Sequence, residues 1–164
     1  MARSFRGNSA NKVDAKGRVS IPAPFRRVLE EGDPDWPKSP NPNLVLIYGR
    51  KGGKCLEGYT INGIEALDKE IAKLPRFSKR REAMEYMINT CSIYVQVDEN
   101  GRIVLPQKLR DMLGVTNEAT FAGKGEKFQI WETSAYDADT AKIKGWVDEV
   151  AGEEDPFTLL EDWE

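Results

Sequence analysis

The feature that most constrains this chain is an internal duplication. Val13-Asp14-Ala15-Lys16-Gly17-Arg18-Val19-Ser20-Ile21-Pro22 recurs as Val97-Asp98-Glu99-Asn100-Gly101-Arg102-Ile103-Val104-Leu105-Pro106, 84 residues later. The match continues with Phe25-Arg26 against Leu109-Arg110 and Val28-Leu29 against Met112-Leu113. What recurs is what sets backbone and charge: an Asp, a Gly-Arg step, an apolar stretch, a Pro and a second Arg. A half-unit that cannot bury its apolar face alone packs against its copy. Presenting one arginine twice suits a repetitive, twofold or polyanionic partner better than a single small substrate.

The repeat extends beyond this motif. Leu44 to Tyr48, a turn over Gly49-Arg50-Lys51-Gly52-Gly53-Lys54 and Cys55-Leu56-Glu57-Gly58-Tyr59 read as a hairpin. Ala119 to Ala122, the turn Gly123-Lys124-Gly125-Glu126-Lys127 and Phe128-Gln129-Ile130-Trp131 repeat it. The first copy carries about eleven additional residues, and residues 32–42, with four prolines, fit that insertion as a surface loop, since proline excludes helix and inner strand.

At 164 residues the two halves favour one fused core, because a unit of about 75 residues is marginal alone. No apolar run approaches the roughly 20 residues that span a bilayer, and Met1 to Arg6 lacks a signal peptide's apolar segment. Cys55 and Cys91, both in apolar contexts, read as reduced core thiols, so a cytoplasmic protein is expected. The chain has no histidine, which removes the commonest general base and zinc ligand. No phosphate loop ending in Gly-Lys-Ser/Thr is present either. No catalytic residue, cofactor, metal, membrane or small-molecule substrate is therefore expected.

The net charge of −3 hides a polarity. Eight acids and no base lie from Asp148 onward, and without them the chain carries +5. The first 27 residues hold Arg3, Arg6, Lys12, Lys16, Arg18, Arg26 and Arg27 against Asp14 alone. A basic head that coincides with a duplicated motif points to a polyanion. The acidic tail is expected either to screen that surface or to dock Phe157, Leu159, Leu160 and Trp163 on a protein surface.

Locally, Lys12-Val13 and Val19 to Ile21 read as strands around a tight turn in which Gly17 takes positive φ and Asp14 bonds backbone amides. Pro22 ends the strand and Pro24 opens a helix to Glu30. The second copy repeats this with Gln107 to Leu113, stopped by Gly114. Ile64, Leu67, Ile71 and Leu74 predict a helix that Pro75 ends; another is expected over Ser78 to Asn89. Ser92 to Val97 reads as strand, Ser134 to Val150 as a last helix, and the tail past Gly152 as loose.

Asp-x-x-Gly-Arg, an apolar stretch, Pro and a short Arg-bearing helix resemble the AbrB and SpoVT-type DNA-binding unit. Two such units in one chain, with Phe5-Arg6-Gly7, Cys55 to Tyr59 and Phe128 to Trp131 as flanks, resemble the MraZ family over roughly residues 5–144. The resemblance implies an α+β fold of two β-rich, swapped-hairpin or double-ψ-like units fused about a pseudo-twofold axis, with flanking helices. Its expected divisions are a first unit over 5–59, a helical connector over 60–91, a second unit with its helix over 92–145, and a tail over 146–164.

The resemblance also implies a nucleoid-associated transcriptional regulator that assembles into a homo-oligomeric ring. It would bind double-stranded DNA at short G-rich direct repeats before a division and cell-wall gene cluster. By position, Arg18 and Arg102 match the motif arginine. Lys12, Lys16, Arg26, Arg27 and Arg110, with Arg6, match basic positions of the DNA face. Asn100 replaces Lys16 and Asp111 replaces Arg27 in the second copy, whose face is thus less basic.

Arginine pairs with guanine O6 and N7 in the major groove, while lysines beside it neutralise phosphates. Two alternatives stay open: Arg18 and Arg102 as structural ion pairs with Asp14 and Asp98, and an antitoxin-like module whose tail wraps a protein.

Overall fold

Turn chemistry, proline positions and hydrophobic periodicity give eight strands and five α-helices in a computed structural model that describes residues 3–50 and 53–161. Lys51 and Gly52 of the first hairpin turn, and Trp163 of the tail, lie outside the described residues. The first copy supplies β1 (Asn8–Lys12), β2 (Arg18–Ser20), α1 (Ala23–Glu31), β3 (Asn43–Ile47), β4 (Leu56–Thr60) and α2 (Ile61–Ala72). A linking helix α3 (Lys79–Met84) runs into a π-helical segment, Glu85–Thr90. The second copy supplies β5 (Ser92–Gln96), β6 (Arg102–Val104), α4 (Gln107–Leu113), β7 (Glu118–Gly123), β8 (Phe128–Glu132) and α5 (Thr133–Ala151). The class is mixed α+β with antiparallel sheets, and the chain divides into two compact units at Glu132 and Thr133.

In the first unit the duplication becomes topology. The main sheet runs β1-β7-β8-β4-β3-β5, and β2 pairs with β6 in a separate ribbon. By the 84-residue offset, β5 is the second copy's β1. Yet β1 pairs with β7, and β5 pairs with β3. The first strand of each copy therefore completes the other copy's hairpin, and the strand order reads the same from both ends. Neither half keeps a sheet of its own, which accounts for the single core.

That core lies on one face of the sheet. Leu44, Leu46, Leu56, Phe121 and Ile130 point from the strands toward Val19 and Ile103 of the ribbon, Phe25 and Leu29 of α1, and Leu109 of α4. Phe5, Phe25 and Phe128 meet at ring-centroid distances of 5.0–5.4 Å, an arrangement that adds edge-on attraction to burial. The opposite face carries Val45, Ile47 and Tyr59, covered by Ile64 and Ile71 of α2 and by Ile88. Period-2 alternation on β3 sets this division: Leu44 and Leu46 go one way, Val45 and Ile47 the other.

Three local expectations change. The helix expected over Ser78 to Asn89 widens to π geometry from Glu85, so that the Cys91 N–H reaches back to the Tyr86 carbonyl. The extra residue keeps Met84, Met87 and Ile88 against the second cluster while the Cys91 carbonyl accepts from Tyr48 N–H. Cys91 is buried but Cys55 only half-buried.

The second unit, taken by itself, consists of α5 and a 3-10 turn, Pro156–Leu160. Past Gly152, in a segment expected to be loose, Pro156–Leu160 form that turn, which Asp155 caps, its carboxylate accepting from Phe157 N–H at 3.0 Å.

Candidate nucleic-acid interface

Each Asp-x-x-Gly-Arg segment folds into a turn closed by its own aspartate. The Asp14 Oδ1 accepts from the N–H groups of Lys16 (3.0 Å) and Arg18 (2.9 Å), and Asp98 does the same for Asn100 and Arg102. Gly17 and Gly101 take φ of +87° and +77°, which other residues adopt at a cost. The backbone N–H of Arg18 holds the Asp14 carboxyl below its usual range, with its guanidinium adding to the effect. The Arg102 N–H does the same for Asp98.

The motif arginines are therefore half-anchored. Arg18 Nε donates to Asp14 Oδ2 at 2.6 Å, and the structure gives its two terminal nitrogens no partner among the described residues. Arg102 Nε lies 3.5 Å from Asp98 Oδ2, an ion-pair contact without a hydrogen bond. The side chains remain 39% and 33% exposed, so the ion pair orients each guanidinium without consuming it.

The β2–β6 ribbon places both on one surface. Its register pairs Arg18 with Val104, Val19 with Ile103 and Ser20 with Arg102. Val19 and Ile103 are buried inward, so Arg18, Ser20, Arg102 and Val104 form the outward face. Two residues along and one strand across put the arginine Cα atoms about 8 Å apart.

Sequence position suggests that the helix arginines contact the same partner; the structure places them differently. Arg26 is half-buried, its Nη1 donating to the Ile21 carbonyl at 2.7 Å, and its guanidinium lies over Gly101 of the other copy. Arg110 lies over Gly17 and is only 8% exposed, with Nη2 on Gln107 Oε1. Backbone bonds follow the same exchange: Ile21 N–H to the Gly101 carbonyl and Leu105 N–H to the Gly17 carbonyl. Each copy's helix arginine thus clasps the other copy's turn, and Arg110 is withdrawn from the surface. No local sequence signal carries this, because the strand exchange creates it.

Arg6, Lys12, Lys16 and Arg27 are exposed. Lys12 and Lys16 flank the first turn, while their counterparts Gln96 and Asn100 are exposed and neutral. A further difference was readable in the repeat: exposed Glu99 stands where the first turn has Ala15. The first turn therefore carries a net positive charge and the second a net negative one.

A buried ionic cluster joins the two hairpins on the sheet's other face. Glu57, its side chain 3% exposed, meets Lys127 Nζ at 2.7 Å and Arg50 Nη1 at 3.0 Å, and pairs in register with Gln129. Burial alone would raise its carboxyl, but Lys127 and Arg50 outweigh it and hold the group below its usual range. The same burial pushes Tyr59 up to about 12, with the Glu57 charge adding to it. Among the described residues no His, Cys, Asp or Glu group is placed to hold a metal, and no helix is long and apolar enough to cross a membrane.

A family model described as "MraZ protein, putative antitoxin-like" matches residues 4–86 and 93–146. The transcriptional regulator MraZ of Ruegeria pomeroyi is 48% identical over 162 residues, covering 98% of this chain and 97% of the relative. That of Cereibacter sphaeroides is 45% identical over 149 residues, 86% of this chain and 87% of the relative. The one from Parvibaculum lavamentivorans is 37% identical over 136 residues, 82% and 80% respectively.

Proposed function

The chain belongs to the MraZ family, and on that premise we propose that it is a sequence-specific DNA-binding transcriptional regulator that reads DNA through the β2–β6 ribbon. The observation that carries the reading is the outward face of that ribbon, where Arg18 and Arg102 lie side by side. The major groove admits a two-stranded β-ribbon, and an arginine there pairs bidentately with guanine O6 and N7. Such a face suits short G-rich direct repeats, here those before a division and cell-wall gene cluster. Lys12, Lys16, Arg6 and Arg27 neutralise phosphates around it; Arg26 and Arg110 act as supports that hold the turns.

The fold, in this reading, is a fused pair of AbrB-type swapped hairpins, and several chains assemble into a ring. The protein works in the cytoplasm on the nucleoid. An antitoxin-like role, with the acidic segment gripping a protein, is the second reading, favoured by the family description.

Titrating the full-length protein onto the DNA upstream of its own gene, beside a scrambled duplex, tests this. Preference for the native duplex is expected. If each assembly neutralises about 5–8 phosphates, the slope of log K against log salt falls near −5 to −7. A flat salt dependence would remove DNA as the main partner and promote the antitoxin reading.

A further inference from the structure

The DNA reading makes no use of the loop between α2 and α3, which holds the one non-glycine residue of positive φ among the described residues. Between Ile71 and Glu82 the sequence has Lys73, Arg76, Lys79, Arg80 and Arg81 and no acid. Lys73, Arg76, Lys79 and Arg80 are exposed. In their midst Phe77 is 90% exposed and held at φ +69°, a left-handed conformation unfavourable to an aromatic residue.

The loop is braced around it. Arg81 Nη1 donates to the Leu74 carbonyl at 3.2 Å, the Ser78 N–H donates to the Pro75 carbonyl at 3.1 Å, and the Ser78 hydroxyl caps α3. The fold thus spends backbone strain to hold an aromatic ring in water inside a basic rim. Among the described residues of the first unit no aromatic ring packs on Phe77, and strain of this kind gathers at contact sites.

The chain itself contains a segment of complementary chemistry. Glu153-Glu154-Asp155-Pro156-Phe157-Thr158-Leu159-Leu160-Glu161 carries four acids and no base. Its 3-10 turn displays Phe157 and Leu160, each 76% exposed, beside those acids. Acids meet the basic rim and apolar residues meet Phe77. Duplex DNA offers the charge on its phosphates, but it takes up an aromatic ring only at a thymine methyl or by unstacking a base step, whereas the tail presents its apolar residues beside the acids.

We propose that residues 153–161 of one copy dock on the Lys73–Arg80 loop of a second copy, with Phe77 packed against Phe157 and Leu160. The inference rests on the self-association reading above and names the surfaces that make the contact. It also gives the acidic tail a role other than screening the DNA face.

The test uses the full chain. Equal amounts of ¹⁵N-labelled and unlabelled protein are mixed, exchanged, and joined with a zero-length carbodiimide at low salt. Peptides linking Lys73 or Lys79 to Glu153, Glu154 or Asp155 are expected, about half of them with mixed isotopes. Assembled protein lacking such peptides, or giving only same-isotope pairs, would overturn the proposal.

Sedimentation supplies the second arm. Arg76→Glu with Arg80→Glu, and separately Glu153→Lys with Glu154→Lys, should each weaken association at least tenfold. Mixing the two variants should restore association, because each variant's tail then meets a loop of opposite charge on the other. Phe77→Gly should weaken association while its Tm stays level or rises, because glycine relieves the strain. Assemblies unchanged in all three variants defeat this proposal alone; a monomer at every concentration defeats the self-association reading with it.

Discussion

Replacing Gly101 by alanine measures the reciprocal clasp directly. At φ +77° a Cβ costs about 1–2 kcal/mol. That Cβ would also sit 2.6 Å from Arg26 Nη1, so the guanidinium must leave, breaking its bond to the Ile21 carbonyl. A hydrogen bond from a charged donor is worth about 1.5–3 kcal/mol, so Gly101→Ala should cost roughly 2.5–5 kcal/mol in all. In an Arg26→Ala background the guanidinium is already gone and only the backbone cost remains, about 1–2 kcal/mol. The double-mutant cycle should therefore show coupling of about 1.5–3 kcal/mol.

The other half of the pseudo-symmetric pair should behave differently. A Cβ on Gly17 falls on the Arg110 guanidinium and also on the Leu105 carbonyl oxygen, which is backbone. Removing Arg110 leaves that second clash, so Gly17→Ala keeps about 1–3 kcal/mol beyond its backbone cost even in Arg110→Ala. Urea unfolding of the variants at one fixed protein concentration reads both cycles. An additive Gly101–Arg26 cycle, or a Gly17→Ala fully relieved by Arg110→Ala, would refute the clasp.

Two further predictions concern charge. Glu57→Ala should destabilise by about 3 kcal/mol, the low end for breaking a buried pair, because Arg50 keeps contact with water while Lys127 is stranded; a loss under about 1 kcal/mol in the same urea assay would contradict the network. Asp14 and Asp98 have folded pKa values below the ordinary carboxylate value, so they stabilise above it and lose that contribution as pH falls through the folded value. Tm should therefore drop between about pH 5 and pH 3, and less steeply in Asp14→Asn with Asp98→Asn; identical slopes would show that the turn carboxylates carry none of the dependence.

Much of the local structure was legible because it is local chemistry. Asp14 and Gly17 close a turn with atoms a few residues apart, and Pro22 and Pro24 open α1 by fixing φ. The duplication also implied one shared core. Strand exchange was not legible in the residue pattern itself, and only the family resemblance implied swapped hairpins: the alternation of β1 is equally compatible with its own hairpin and with the other copy's. Everything that depends on the exchange was hidden with it, including the burial of Arg110 and the seat of Arg26 over Gly101. At Arg18 both explanations are compatible in geometry, since Nε holds Asp14 and the terminal nitrogens have no partner among the described residues. Glu57 reads as one more strand residue until its pairing with Gln129 brings Lys127 beside it.

The ribbon's role as a reading head is tested most directly by comparing Arg18→Ala and Arg102→Ala with the wild type on operator and scrambled duplexes, with Tm measured on the same samples. Loss of one bidentate contact should cost about 1–3 kcal/mol per site, compounded when an assembly engages several sites. Arg18→Ala should therefore bring operator affinity down to the scrambled level with Tm nearly unchanged. Arg102→Ala, beside Glu99 and Asn100, should lose less. Unchanged operator preference in Arg18→Ala, or a fall in affinity that merely follows a fall in Tm, would contradict the account and leave the arginines as structural ion pairs.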